Sequence, residues 1–315
     1  MLNPMQKLNV AIIGLGHLGS KHLRVYSELR DRVNIVAICD QRDSKGKPLA
    51  QQYGVPYFKD YRKLPDGIQA VNICTPTVTH CTIAKYFLER GIHTLVEKPI
   101  TMDLKEADIL IDLARKNNLK LQVGHVERFN SAFQTIQKIV KDPLFIECHR
   151  LNPFPNRSLD IGVVTDLMIH DIDIILGLIK YPIKDIQAVG VPVLTKREDI
   201  ANVRLTFTNG SVCNVTASRI SPETMRKIRI FLKNAYISLD YVEQKAFIYR
   251  KHLLSISKEA IPIEKEEPLK KELESFVECV MKDKAPVVSG VEARDALKVA
   301  LEITDKIWKN LKNFS

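Results

Sequence analysis

Leu8-Asn-Val-Ala-Ile-Ile13, running into Gly14-Leu15-Gly16-His17-Leu18-Gly19, decides the fold of this 315-residue chain. The first six residues form a short apolar strand, and a helix from Ser20 to about Arg30 follows the glycines. Each glycine has its own purpose in such a strand–turn–helix. Gly14 permits the tight turn, Gly16 lets the backbone approach a pyrophosphate, and Gly19 lets helix and strand pack closely. The helix amino terminus then offers N–H groups to phosphate. A second apolar strand, Val33 to Cys39, ends in Asp40, 21 residues after Gly19. A carboxylate there accepts hydrogen bonds from an adenosine ribose and repels a 2′-phosphate, which favours NAD over NADP. Arg42 opposes that preference, because an arginine accommodates the 2′-phosphate.

The alternation continues outward. A helix is expected from Ser44 to Tyr53, a strand from Ala70 to Cys74 and a helix from Thr79 to Arg90. The strand ends in Thr75-Pro76-Thr77. A further strand, His93 to Glu97, runs into Lys98-Pro99. Asp103 with Glu106 reads as a capping box for a helix reaching Asn117, and a last strand, Leu119 to Val123, ends in Gly124-His125. Strands and helices in this order imply a parallel sheet covered on both faces. Ligands of such sheets bind at the carboxyl ends of the strands, which is where Lys98 falls. Pro99 biases Lys98 toward an extended backbone and holds it. The bland alternative is a strand-ending turn with its lysine in solvent.

After Gly124 the pattern changes to extended stretches, including Phe145–Leu151, Ala201–Thr208, Ser211–Arg219, Lys227–Leu232 and Ala235–Leu239. Asn209-Gly210 marks a hairpin. The fold class is therefore α/β: an N-terminal Rossmann domain plus a C-terminal α+β domain with an open-faced, mainly antiparallel sheet. Residues 1–124 are expected to form the first domain and 125–315 the second, whose C-terminal helix is able to pack back on the first. Val163 to Leu176 reads as a helix. Asp166, His170 and Asp173 fall at i, i+4 and i+7 and so share one face. A carboxylate–imidazole stripe on an otherwise apolar helix is costly unless it meets a polar cleft or partners. Either carboxylate is suited to fixing the His170 tautomer and raising its basicity for general-base work. The alternative is a surface Asp–His pair.

Composition excludes several classes. Hydrophobic residues make up 45% and charged residues 27%, ordinary values for a globular protein. No apolar run is long enough to span a bilayer, and Met1–Lys7 is a polar lead-in without a signal core, so a cytoplasmic location is expected. The six cysteines lack CxxC spacing and the eight histidines lack paired ligand spacing, so no disulfide or metal site is expected. The net charge of +10 is spread over helices, which argues against nucleic acid and allows a field that attracts a small anion. Strands of the second half alternate apolar and polar residues, with few helices left to cover both sheet faces. A homodimer or homotetramer packed sheet to sheet is the expected resolution.

The ordered set Gly14–Gly19, Thr75-Pro76-Thr77, Glu97-Lys98-Pro99 and Asp166-x-x-x-His170 resembles the glucose–fructose oxidoreductase/inositol dehydrogenase (Gfo/Idh/MocA) family over essentially the whole chain. The resemblance implies an NAD(P)-dependent dehydrogenase in which Lys98, His170 and Asp166 act at the carbon that gives up hydride. For the cofactor it implies the loop Gly14, Gly16, His17, Leu18 and Gly19, then Asp40, the turn Thr75, Pro76, Thr77 with His80, and Glu97 with Lys98.

A narrower set is similar to the UDP-N-acetylglucosamine 3-dehydrogenase branch. It comprises Gly124-His125-Val126-Glu127-Arg128-Phe129-Asn130, the Asp166–Asp173 segment, Ala217-Ser-Arg219 and Met225-Arg-Lys-Ile-Arg229. It implies a UDP-sugar substrate, with His125, Arg128, Asp173, Arg219, Lys227 and Arg229 as candidate contacts. The three basic strand residues suit a diphosphate and equally suit basic decoration; Glu127 and Arg128 suit an inter-domain ion pair. A free-sugar or polyol dehydrogenase and a non-catalytic nucleotide-binding sensor remain the alternatives. The intact Lys98/Asp166/His170 set argues against the sensor, which needs no proton acceptor.

Overall fold

The computed structural model describes residues 7–154, 161–251 and 255–312; the lead-in before Lys7 lies outside them. The chain divides into two units, residues 1–126 with 267–294 and residues 127–266 with 295–315.

The first unit runs β1 (Leu8–Ile13), α1 (His17–Glu28), β2 (Val33–Cys39), α2 (Asp43–Tyr53), β3 (Tyr57–Phe58), β4 (Ala70–Ile73), α3 (His80–Leu88), β5 (His93–Glu97), α4 (Leu104–Lys116) and β6 (Leu121–Gly124). Its six strands pair in the order β3-β2-β1-β4-β5-β6, all parallel. The order reverses between β1 and β4, so their carboxyl ends bound the crevice in which doubly wound sheets take ligands. β4 and β6 are buried at every position, as strands covered on both faces must be. Asp103 caps α4 as its sequence requires, accepting from Glu106 N–H at 2.9 Å, while Glu106 reaches back to Met102 N–H.

The second unit runs α5 (Ser131–Gln137), β7 (Phe145–Leu151), α6 (Ile169–Leu178), β8 (Ile183–Val191), β9 (Ile200–Phe207), β10 (Val212–Ser218), β11 (Met225–Phe231), β12 (Ala235–Asp240), β13 (Lys245–Lys251) and β14 (Ile256–Ile261). Then α7 (Pro268–Met281) belongs to the first unit and packs on α1, and α8 (Gly290–Lys312) closes the chain.

The eight strands pair as β14-β13-β12-β11-β7-β10-β9-β8, antiparallel apart from the parallel β7–β10 pair. β13 and β14 carry weaker alternation than their neighbours and were not expected from the sequence. β7 shows the sidedness of the sheet. Ile146, Cys148 and Arg150 are buried, and Phe145, Glu147, His149 and Leu151 between them are half-exposed. The buried side joins Ile169, Ile172 and Ile175 of α6 in one apolar core. The other side carries a row of rings, Phe145–Phe231–Tyr236–Tyr249, at centroid spacings of 5.5, 5.2 and 4.2 Å.

The helix bearing Asp166 and His170 is fixed at its entry by a buried ion pair. Arg219 is wholly buried; its Nε donates to Asp199 Oδ1 at 2.8 Å and its Nη1 to Ile161 O at 2.8 Å. Asp199 Oδ2 also accepts the N–H groups of Val193, Leu194 and Thr195. Next door, Val163 N–H donates to Glu198 O, and a Cβ on Gly162 would fall 1.7 Å from Glu198 Oε1. Burial works against the Asp199 charge, but these donors win and hold its carboxyl well below the usual range. A depressed carboxyl contributes stability that is present above its unfolded value, about 3.9, and lost as pH falls through the folded one. Asp199→Asn is expected to cost about 3 kcal/mol at neutral pH. In urea unfolding followed by circular dichroism, the gap to wild type should close as pH drops below about 4.

Candidate active site

At the carboxyl end of β1, the backbone itself makes the first surface. Gly14 sits at φ +88°, and a Cβ there would lie 2.8 Å from Cys74 O and from the Thr75 methyl. A Cβ on Gly19 would meet Gly14 O at 1.8 Å, so only glycine lets α1 start so close to the strand. Gly16 differs: a Cβ there meets nothing within 4 Å, so its backbone borders open space. No side chain caps α1, whose first turn, with His17, Leu18 and Gly19, carries no acid. No acid in the first turn of the helix itself therefore competes with an anion for its positive end.

Asp40 follows β2 and closes one side of the loop. Its Oδ2 accepts Leu15 N–H at 2.8 Å, and Arg42 grips both oxygens at 3.0 and 3.1 Å. Burial raises this carboxyl, and Arg42 with Leu15 outweighs that and lowers it. Arg42 is thus folded onto Asp40. On the far side of the switch point, Thr79 Oγ1 donates to Pro76 O at 2.7 Å and lies 2.7 Å from the Thr75 hydroxyl, which shapes the Thr75-Pro76-Thr77 turn.

Two expected cofactor contacts have inward-facing side chains instead. His80 is 1% exposed, with Nε2 2.9 Å from Thr75 O and Nδ1 2.9 Å from Pro99 O. It staples two strand-end turns together. Glu97 is 6% exposed; His22 Nε2 lies 3.0 Å from its Oε1, and Lys98 N–H donates to Oε2 at 3.2 Å. Gly124 leaves room for that carboxylate, since a Cβ would approach Oε2 to 2.8 Å. The sequence reading missed His22, Asn72 and Tyr26, which hold Glu97 from behind. The available signal was His22 and Tyr26 at i, i+4 with Gly19 and Leu23 on the buried face of α1.

In the second unit, Asp166 and His170 lie half-exposed where a π turn, Val164–Met168, passes into α6. Such a turn widens the helix and commonly marks a functional site. Asp173 departs from the expected stripe. It is buried, and its oxygens take Arg128 Nε at 2.6 Å and Nη2 at 3.1 Å. Arg128 and Asp173, expected to meet substrate, thus spend their charges on each other. Glu127 pairs with Arg150 at 2.8 Å, and Arg150 also grips Asp171 through two bonds, so no Glu127–Arg128 pair forms. His125 is buried directly after β6.

The basic trio is not one cluster. Arg219 is enclosed with Asp199, which corrects its assignment to substrate, whereas Lys227 and Arg229 lie on the open sheet face, paired with Asp240 and Glu147. Strand alternation explains the split, because Lys227 and Arg229 flank the buried Ile228.

Residues 8–125 match the model of an "Oxidoreductase family, NAD-binding Rossmann fold", and residues 133–238 match the GFO/IDH/MocA C-terminal domain. This chain belongs to the GFO/IDH/MocA oxidoreductase family. Like other members, it pairs an NAD-binding Rossmann domain with a second, mostly antiparallel sheet. The UDP-N-acetylglucosamine 3-dehydrogenase of Acidithiobacillus ferrooxidans is 34% identical over 95% of this chain and 97% of its own length. The solved structure of that enzyme superposes with a TM-score of 0.90 over 96% of this chain and 98% of its own. The scyllo-inositol 2-dehydrogenase (NAD(+)) of Bacillus subtilis is 25% identical over 95% of this chain and 94% of its own length.

The open cradle at Gly16, the uncapped α1 and the Asp40 carboxylate fit NAD. Asp40→Ala removes the ribose acceptor and releases Arg42. It is expected to weaken NAD binding about tenfold and to narrow the preference over NADP, read by fluorescence titration with both nucleotides.

Proposed function

We propose that this family member oxidises C3 of a UDP-linked N-acetylhexosamine, UDP-N-acetylglucosamine above all. The observation that carries this reading is the 34% identity, sustained over 95% of the chain, to an enzyme of that name. With Arg219 and Arg128 closed off, the diphosphate argument from basic residues no longer adds to it. His125 remains the candidate substrate contact among the residues first singled out. The 25% identity to an inositol dehydrogenase favours a free polyol as the second reading.

NAD, held by the glycine loop and Asp40, would supply the acceptor for the hydride of C3. The hydroxyl proton has to leave at the same time, and His170 is the residue we assign to accept it. Asp166 orients that imidazole and stabilises the imidazolium. Lys98 hydrogen-bonds the reacting oxygen and polarises it as the carbonyl forms. The products are the 3-keto sugar nucleotide, NADH and a proton on His170.

A second copy of this chain is the occupant we assign to the open sheet face. Four rings in register across β7, β11, β12 and β13 make a flat apolar strip. Lys258 extends it from β14, its Nζ 4.2 Å from the Phe247 centroid. The flanking charges come in both signs, Arg229 with Glu147 and Lys227 with Asp240, so the face is self-complementary.

Incubation with NAD and a panel of UDP-sugars, free sugars and polyols, with NADH read at its absorbance, tests the substrate. Turnover confined to free polyols would overturn the nucleotide-sugar reading. Lys98→Met and His170→Ala are each expected to lower turnover about a hundredfold or more while NAD still binds. Phe231→Asp is expected to shift the light-scattering mass toward the monomer.

A further inference from the structure

Lys98 sits between two anchored neighbours. On one side, the Pro99 carbonyl faces His80 Nδ1 at 2.9 Å. On the other, the Glu97 carboxylate faces His22 Nε2 at 3.0 Å and receives Lys98 N–H on its second oxygen. His22 is wholly buried and reaches Glu97 from α1, 75 residues away in sequence.

Its ring is oriented in turn. Tyr26 O–H donates to Asn72 Oδ1 at 2.9 Å, which directs the Asn72 amide N–H to His22 Nδ1, also at 2.9 Å. Nδ1 therefore accepts, and Nε2 carries the N–H aimed at Glu97. Tyr26, Asn72, His22 and Glu97 form one chain of bonds that ends at the lysine backbone. His22, Cys74 and Glu97 also bring metal-ligand atoms within 4.8 Å of one another. Both imidazole nitrogens are already engaged, however, and burial keeps the Cys74 thiol protonated. The cluster is a hydrogen-bond relay rather than an ion site.

We infer that His22 is a positioning residue for the reaction: by holding Glu97 through Nε2, it sets where Lys98 stands at the carboxyl end of β5. This rests on the reading of Lys98 as the group that polarises the reacting oxygen. The physical case is that a lysine has a long flexible stem, so its ammonium is placed only as well as its backbone. The backbone here hangs from a buried carboxylate. Burial pushes Glu97 up; the hydrogen bond from His22, together with the Lys98 charge, outweighs this and keeps it below its ordinary value. Without the Nε2 donor that carboxylate has to protonate or turn away, and either change weakens its hold on Lys98 N–H.

The test compares His22→Leu, which removes the donor, with His22→Gln, whose amide keeps a donor near the Nε2 position. Lys98→Met and the His22→Leu/Lys98→Met double variant complete the cycle. With UDP-N-acetylglucosamine and NAD, His22→Leu is expected to lower kcat about tenfold to a hundredfold. NAD affinity by titration should hold within about threefold, because the glycine loop is unaltered. His22→Gln should recover most of kcat, and the double variant should be no slower than Lys98→Met alone. Wild-type kcat in His22→Leu, or losses that add in the double variant, would overturn the inference. Lys98→Met that retains turnover would instead defeat the reading of Lys98. Hydrogen exchange at the Lys98 amide needs neither substrate nor turnover. His22→Leu should speed it about tenfold while amides of β1 and β4 stay protected; unchanged exchange overturns the inference for any substrate. Should His22→Leu fail to fold, His22→Gln with Asn72→Ala, which removes the ring's orienting donor, carries the same comparison.

Discussion

A carboxylate held out of water survives as an anion only when donors replace the water it has lost, and Glu97 is the place in the first unit where this constraint bears hardest. Its side chain ends β5 inside the sheet layer, against Gly124 of β6. A second carboxyl, Glu272 of α7, is equally buried close by, and both its oxygens lack a hydrogen-bond partner among the described residues. Burial, reinforced by the Glu97 charge, pushes Glu272 far up. Two acids in one dry region cannot both ionise, so the one with donors keeps the charge and the other keeps a proton. The His22 relay decides which is which. It thereby leaves the negative charge adjacent to Lys98 rather than on the helix beyond.

The second unit obeys the same rule with different residues. Arg150 bridges Asp171 and Glu127, Arg128 takes Asp173, and Arg219 takes Asp199, all of them buried. Removing one partner from such a pair costs far more than the pair contributes, because a bare charge is left behind. These pairs grip the segment around residues 161–173 at its entry and along α6. That segment holds the π turn and the two half-exposed groups, Asp166 and His170. The polar residues of the helix therefore divide by burial. Those inside are neutralised by arginine and fix the helix, while Asp166 and His170 are the less buried two.

Much of the fold was legible because it rests on local rules. The glycine turn, the strand-ending Asp40, the Asp103 cap and the parallel alternation are each decided by residues a few positions apart. The candidate site was legible only as a motif that names its own residues, at Lys98, Asp166 and His170. It was not legible where charge has to find a partner across the chain. Arg219 and Asp199 are 20 residues apart, Arg128 and Asp173 are 45, and His22 and Glu97 are 75. A sequence shows each of these as a lone polar residue, and a lone basic residue reads as a ligand contact. Helical spacing misled in the same way: Asp173 shares a nominal face with His170, but it is buried against Arg128, which takes it out of that set.

The two kinds of lysine and arginine in this chain illustrate how burial separates scaffold from chemistry. Arginine carries the buried pairs because its planar fork satisfies two carboxylate oxygens at once and does not give up its proton. Lysine at position 98 offers a point charge on a flexible stem instead of a planar fork. The backbone on either side of it is held through Glu97 and Pro99. Holding the peptide fixes where that stem starts, and the polar relay in the first unit ends at this N–H group.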